Sequence, residues 1–511
     1  MVKLGFYAPF IHASVDGANT PAHLGFPLWV PQSASPTDPA GKIGSLRGLR
    51  PSFSRVLLPA MLLAAGLSGC APMQSVETAK VDAAVVPASN KMQVTLPDWQ
   101  SFFPDPQLKA LISAALENNR DLRLAAARVS ETRAQYGIVR ADRFPSVDLV
   151  VGGTRSSTPG TVSPSGKRFD LTKGEVGFSL PSYELDLWGR IASLNEAALA
   201  TFLASEANAK AVQLALLGDI AGNYYQLLEL EDRAKLLAAM KDNRAEWLSL
   251  VEKRVEVGLA NDAERLQAQA VVDGLVRDLA ELKRQHSLVQ NGLSVLLGVP
   301  LNSLKLPDAL SLRQQADTSA LRTDTPSLRL LQRPDVQAAE LRLKASNANI
   351  EAARAAFFPR ISLTANYGTA SNELNGLFSN NSESWSFVPQ ITLPIFNVGR
   401  TQATLDVAAA RQVQAVADYE KTLQNAFREV ADALVNRTGY DVQIVSQQAV
   451  LSSQKERLRV AELRYQRGLA GYIEVLDAQR DYQTAEQQLV SIIRAQKVAE
   501  VAVFKALGGG V

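Results

Sequence analysis

The chain has 511 residues, of which 46% are apolar, 20% charged and only 6% aromatic, a composition that excludes both a disordered chain and a polytopic helical membrane protein. Fifty-three Lys and Arg against 51 Asp and Glu leave a formal charge of +2, too balanced to gather nucleic acid. One cysteine and three histidines, two of them within the first 23 residues, exclude a disulfide framework and a Cys-rich metal site and leave no material for His-based catalysis.

Residues 1–46 are rich in Pro, Ser, Gly and His and precede a complete export signal, so they read as a misassigned, disordered start. Arg47, Arg50 and Arg55 then lead into a 12-residue apolar run, Val56 to Leu67, too short to span a bilayer. A basic region, a short apolar core and the ending Leu67-Ser68-Gly69-Cys70 make residues 47–69 a secretory signal whose end resembles a bacterial lipobox. Cys70 then becomes the first of 442 mature residues and carries N-palmitoyl and S-diacylglycerol chains, with no other cofactor expected. Ala71 follows it; in lipoproteins of this kind an Asp there would retain the protein at the inner membrane, so the outer membrane is the expected destination. Residues 70–98 read as an extended acylated linker.

The body of the chain is one unit written twice, over 99–300 and 333–508, with a linker at 301–332. Phe144-Pro145 recurs as Phe358-Pro359, 214 positions on. Gly189-Arg190, Arg254, Gly258-Leu259-Ala260 and Glu264 recur as Gly399-Arg400, Arg464, Gly468-Leu469-Ala470 and Glu474, all 210 positions on. A register held over more than a hundred residues marks a duplication.

Each unit reads as a moderate helix, two short strands and a very long helical hairpin. Proline ends the helix at each Phe-Pro. Strands follow at about 146–154 and 171–181, and again at about 360–368 and 385–394, with one oily and one polar face: Ile361, Leu363 and Tyr367 alternate with Ser362, Thr364 and Asn366. Strands near ten residues long between Gly-, Ser- and Asn-rich loops suit a transmembrane barrel, but four cannot close one, so other copies must supply the rest. Between the strands of the first unit, Gly160 to Lys167 superficially resembles a phosphate loop. It has five residues between the glycines, Arg168 in place of Ser or Thr, and no buried strand and helix around it, so it reads as an extracellular loop.

No proline occurs in the 118 residues between Pro181 and Pro300 or in the 117 after Pro394. The hairpins therefore span about 187–298 and 399–508, with coiled-coil seams such as Leu214, Leu217, Ala221, Tyr224 and Leu228. Each turns at its Gly-Leu-Ala, where glycine supplies the needed backbone freedom.

These residues resemble the TolC-like outer-membrane factors, and most closely the OprM/NodT-type lipoproteins of multidrug efflux systems. The resemblance is carried by the lipobox, Trp99 with Asp105-Pro106-Gln107-Leu108, Tyr183-Glu184-Leu185-Asp186-Leu187-Trp188-Gly189-Arg190, Gln332-Arg333-Pro334-Asp335-Val336 and Tyr472-Ile473-Glu474-Val475-Leu476-Asp477-Ala478-Gln479-Arg480. It implies a mainly α fold with a β-barrel part: a homotrimer whose 12-stranded transmembrane barrel continues into a long α-helical periplasmic tunnel. It also implies a gate at the far end of the tunnel, formed by Glu474 and Asp477 with Tyr465 tying it to a neighbouring helix. An arginine that some members carry at Ala470 is missing. The hairpin tips, Gly258 and Leu259 with Gly468 and Leu469, would meet a periplasmic adaptor coupled to a proton-driven inner-membrane pump.

The implied function is a passive exit duct, lipid-anchored in the outer membrane, for drugs or other small toxic solutes. Type I protein secretion and heavy-metal efflux are alternatives within that class, and a coiled-coil scaffold lies outside it. His286 has no acid and nucleophile set around it in sequence, and no catalytic or metal-ligating residue is assigned.

Overall fold

The computed structural model describes residues 98–315 and 327–509. Cys70, the signal at 47–69 and most of the linker at 70–98 lie outside the described residues. The chain opens with α1 (Trp99–Phe102) and α2 (Pro106–Asn118). Asp105 caps α2 by accepting the Gln107 N–H at 2.8 Å, with Pro106 at the first helical position. In α3 (Arg120–Ala141) the cap is Asn119, which accepts from Leu122 N at 2.9 Å and donates from Nδ2 to Leu296 O at 2.7 Å.

Strands β1 (Asp148–Thr158) and β2 (Phe169–Leu185) follow, and β3 (Arg360–Ser371) and β4 (Glu383–Thr392) occupy the same place in the second unit. They form one antiparallel sheet in the order β1-β2-β3-β4. Two strands, β1 and β2, run several residues beyond their expected ends, and β3 ends at 371 rather than 368. Beyond the expected end of β1, Arg155, Ser156, Ser157 and Thr158 carry no oily-polar alternation, yet their backbones pair in full with residues 169–172. β2 also passes Pro181, where the register to β3 shifts between Leu180 and Tyr183, because proline cannot donate to the ladder. β4 stops at Thr392, short of the expected 394.

Helix α4 (Arg190–Glu256) is unbroken for 67 residues, roughly 100 Å at 1.5 Å per residue. Asp186 accepts from Ile191 N at 3.1 Å and Ala192 N at 2.7 Å, placing an anion where the helix leaves N–H groups unpaired. Its hairpin partner is α5 (Asp262–Leu297). The second unit supplies α6 (Pro334–Ala355), the 67-residue α7 (Arg400–Gln466) and α8 (Tyr472–Ala506). Thus the hairpin helices start and end one to three residues inside the expected 187–298 and 399–508. Among the described residues no helix is long and apolar enough to cross a membrane.

The largest core lies around the middle of α4. Leu217, Ile220 and Tyr224 meet Leu108, Leu111 and Ile112 of α2, Leu293 and Leu297 of α5, and Phe504 of α8. Phe102 stacks on Phe504 with ring centroids 4.3 Å apart. Buried Asp105 accepts from the Tyr224 hydroxyl at 2.6 Å, so the cap of α2 is tied directly to α4.

The two units diverge at their moderate helices. α6 packs between α4 and α7 and buries ten of its 22 residues, whereas α3 packs chiefly on α4 and buries only Ala125.

Candidate functional site at the hairpin ends

Both hairpins turn by one device. Gly258 and Gly468 hold φ of +73° and +70°, left-handed values that an L side chain rarely adopts. Leu259 N donates to Arg254 O at 2.7 Å and Leu469 N to Arg464 O at 2.8 Å, which satisfies the last carbonyls of α4 and α7. Leu259 and Leu469 stand 70% and 68% exposed at the tips. The return helices begin differently: Asn261 caps α5 through Glu264 N at 2.9 Å, while Gly471 offers α8 no side chain.

Just above the turns four helices converge on a small apolar cluster. Ala268 of α5, Ala461 of α7 and Tyr472, Val475 and Ala478 of α8 are buried against Trp247 and Leu248 of α4 and Tyr465 of α7. Three aromatic rings form its centre. Trp247 stacks on Tyr472 at 5.5 Å and 13°, and Tyr465 lies 5.4 Å from Trp247 and 5.6 Å from Tyr472. Arg254 closes the group: Nη1 donates to the Tyr465 hydroxyl at 2.8 Å, and its guanidinium carbon sits 5.3 Å above the Tyr465 ring. Burial pushes the Tyr472 hydroxyl up to about 12 and raises that of Tyr465. Burial also lowers the pKa of the nearby Arg244 guanidinium, against the opposing pull of Tyr472 and Glu462.

Glu474 and Asp477 lie on the opposite, open side of α8. Val475 and Ala478 between and beyond them are buried, whereas the two carboxylates are 41% and 49% exposed. Each has an arginine of its own chain: Arg464 Nη1 is 3.6 Å from Glu474, and Arg480 Nη2 is 3.3 Å from Asp477. A cavity of about 480 Å³ opens beside Asp477 and Arg480, walled by Met240 and Arg244 of α4 and Val271 of α5. The structure therefore brings Tyr465 together with α4, and it sets both acids on one exposed face near the turn. Sequence reasoning assigned no part to Trp247, Arg244 or Arg254. Arg254 stood out only as a residue repeated 210 positions later.

Residues that mimic enzyme motifs sit elsewhere. Gly160 to Lys167 forms the turn between β1 and β2, with no helix starting after it. His286 faces Glu231 across the α4–α5 seam at 3.3 Å. No group of three or more metal-ligating side chains occurs among the described residues.

A family described as outer membrane efflux protein matches residues 111–299 and 325–509. The toluene efflux pump outer membrane protein TtgI of Pseudomonas putida is 42% identical over 418 residues, covering 81% of this chain and 88% of that protein. The cation efflux system protein CusC of Escherichia coli is 41% identical over 415 residues, covering 81% and 88%. A crystal structure of CusC superposes with a TM-score of 0.75 at 37% identity, over 83% of this chain and 100% of that one. The open state of the Neisseria gonorrhoeae MtrE outer membrane channel gives 0.74 at 35% identity, over 83% and 98%.

Proposed function

The chain belongs to the outer membrane efflux protein family and is an outer-membrane exit duct of a tripartite efflux pump, and from that premise we propose how it assembles, closes and selects. The duct performs no chemistry of its own, and its energy comes from a proton-driven inner-membrane pump reached through a periplasmic adaptor. Three copies assemble it. The observation that carries the assembly is the pair of free sheet edges, β1 and β4, on a sheet whose oily face is exposed.

The internal repeat supports the same joint. Within the chain Trp188 stacks on Phe358 at 5.0 Å. Its repeat counterpart Val398 and the Phe358 counterpart Phe144 are 85% and 65% exposed, as two halves of a contact made with a neighbouring copy. The open flank of α3 fits α7 of a neighbour in the way that α6 fits α4 of its own chain.

Glu474 and Asp477 form the constriction, six carboxylates in a trimer, with Tyr465 holding the second hairpin to Arg254 of the first. The exposed tips at Gly258, Leu259, Gly468 and Leu469 are the adaptor's docking surface. Cys70 carries the lipid anchor. The cargo is small apolar toxic solutes, by analogy with the toluene pump protein; the similarity to CusC favours cation efflux as the second reading.

Planar-bilayer recording tests the duct: discrete single-channel conductance is expected, and its absence would leave only a scaffold. Strains lacking the protein should become sensitive to toluene under the first reading and to metal cations under the second. Labelled palmitate should enter the wild-type chain and not Cys70→Ser; equal labelling would sink the anchor.

A further inference from the structure

The cavity beside Asp477 lies between α4, α5 and α8 of one chain, and its volume of about 480 Å³ is that of a small-molecule site. Met240 of α4, Val271 and Leu275 of α5 and Ile473 and Leu476 of α8 give it apolar walls. Gly274 also lines it, in mid-course of the 36-residue α5, where glycine weakens a helix. No neighbouring element or side chain lies within 4 Å of where its Cβ would stand, so a side chain there has room to enter the cavity.

Two polar groups that line this cavity have no partner. Gln479 is only 5% exposed, and its Oε1 accepts no hydrogen bond from the described residues. Arg244, half-buried, makes neither a hydrogen bond nor an ion pair among the described residues. The acids of the cavity are already engaged: Asp477 holds Arg480 at 3.3 Å, and Asp278 holds Arg277 at 2.7 Å. Burial lowers the Arg244 pKa, and Tyr472 and Glu462 oppose it only in part. A guanidinium stays charged in a protein, so this one is a cation drawn out of water with no anion against it. An incoming anion relieves that penalty, and an incoming N–H or O–H relieves the one at Gln479.

The internal repeat sets these residues apart. Their counterparts 210 positions on are Gln454 for Arg244, Asp481 for Val271 and Thr484 for Gly274. There Asp481 pairs with Arg457, which stands where the first unit has Trp247. The second unit thus lacks the cation, the oily wall and the glycine at these positions. We propose that the cavity binds a small amphiphilic carboxylate, its charged end on Arg244, an N–H or O–H on Gln479 Oε1, and its hydrocarbon part along Val271, Leu275, Ile473 and Leu476. A carboxylate matches the fork of a guanidinium, while Asp477 and Asp278 in the wall repel a second negative charge. The walls come from both hairpins, so the bound molecule ties α8 to α4 and α5. Such a site is independent of what the duct carries.

N-octanoylglycine supplies a carboxylate, an amide N–H and a hydrocarbon chain, and its titration calorimetry with the detergent-solubilised full chain tests the site. Saturable binding of one molecule per chain is expected, with uncharged N-octanoylglycinamide weaker by roughly ten-fold or more. Arg244→Gln should remove that difference between acid and amide, whereas Arg277→Gln, outside the cavity, should keep it. Gln479→Met, which keeps the volume and removes the amide, should weaken N-octanoylglycine by about five-fold and leave decanoate, which has no N–H, unchanged. Gly274→Leu should abolish binding by filling the cavity, and because leucine favours the helix that glycine weakens, this loss is not one of misfolding. Equal affinity for the acid and the amide in the wild-type chain overturns the proposal, since partition into detergent treats both alike. So does full binding by Arg244→Gln or by Gly274→Leu.

Discussion

Arg254 of the first hairpin donates to the Tyr465 hydroxyl of the second at 2.8 Å, whereas its repeat counterpart Arg464 stays within its own hairpin, 3.6 Å from Glu474. The internal symmetry is broken at this point because Tyr465 stands where the first unit has Val255, which has no hydroxyl. The arginine of the first hairpin thus finds a partner across the gap that the arginine of the second lacks.

Tyr465→Phe removes that hydrogen bond and keeps the ring stack. A bond to a charged donor contributes about 1.5–3 kcal/mol, so the ratio of open to closed channels should rise by roughly 10- to 100-fold. Open probability in planar bilayers reads this. An unchanged open probability would show that the contact does not hold the hairpins together.

In the proposed trimer, Glu474→Ala with Asp477→Ala would remove six carboxylates. Conductance should rise, cation preference should weaken and block by multivalent metal ions should lessen, because a ring of acids concentrates cations. The matching change at Glu264 and Gln267 should do less, since only one acid is present there. Wild-type selectivity and metal sensitivity in the first double mutant would remove these acids from the constriction.

Gly468→Val places a β-branched residue at φ +70°, where open space surrounds the new Cβ, so the penalty is backbone strain and not a clash. A loss of about 1–2 kcal/mol should be confined to the turn. Adaptor cross-linking and export should fall while the amount of assembled protein stays normal; full export would show that the turn is not the docking surface.

Tyr472 titrates late because it is buried. Its folded pKa, about 12, is above the ordinary value of 10, so its contribution is whole below pH 10 and is lost as pH rises through about 12. The phenolate band present in wild type and absent in Tyr472→Phe should therefore develop near pH 12. The ring cluster should loosen over the same interval, seen as a change in Trp247 emission. Titration of this band near pH 10 would mean that the ring is not buried in solution.

Local pattern determined the two-fold repetition, the long hairpins and their turns, and the four strands with one oily face. Those features are written in short periods and in the positions of Pro and Gly, which act on the residues beside them. Strand ends were legible only within a few residues, because Ser156, Ser157 and Thr158 pair through backbone atoms that leave no side-chain signal. Glu474 and Asp477 share a face by helical spacing alone, and the packing of Val475 and Ala478 decided that this face is the open one. Packing across 200 residues of chain also seated Trp247 on Tyr472 and turned Arg254 toward Tyr465. The repeat gives α3 and α6 equivalent places, each packed on the long helix that follows it, yet only α6 is enclosed, because α4 of the first unit also covers its other flank and no long helix precedes α3 among the described residues.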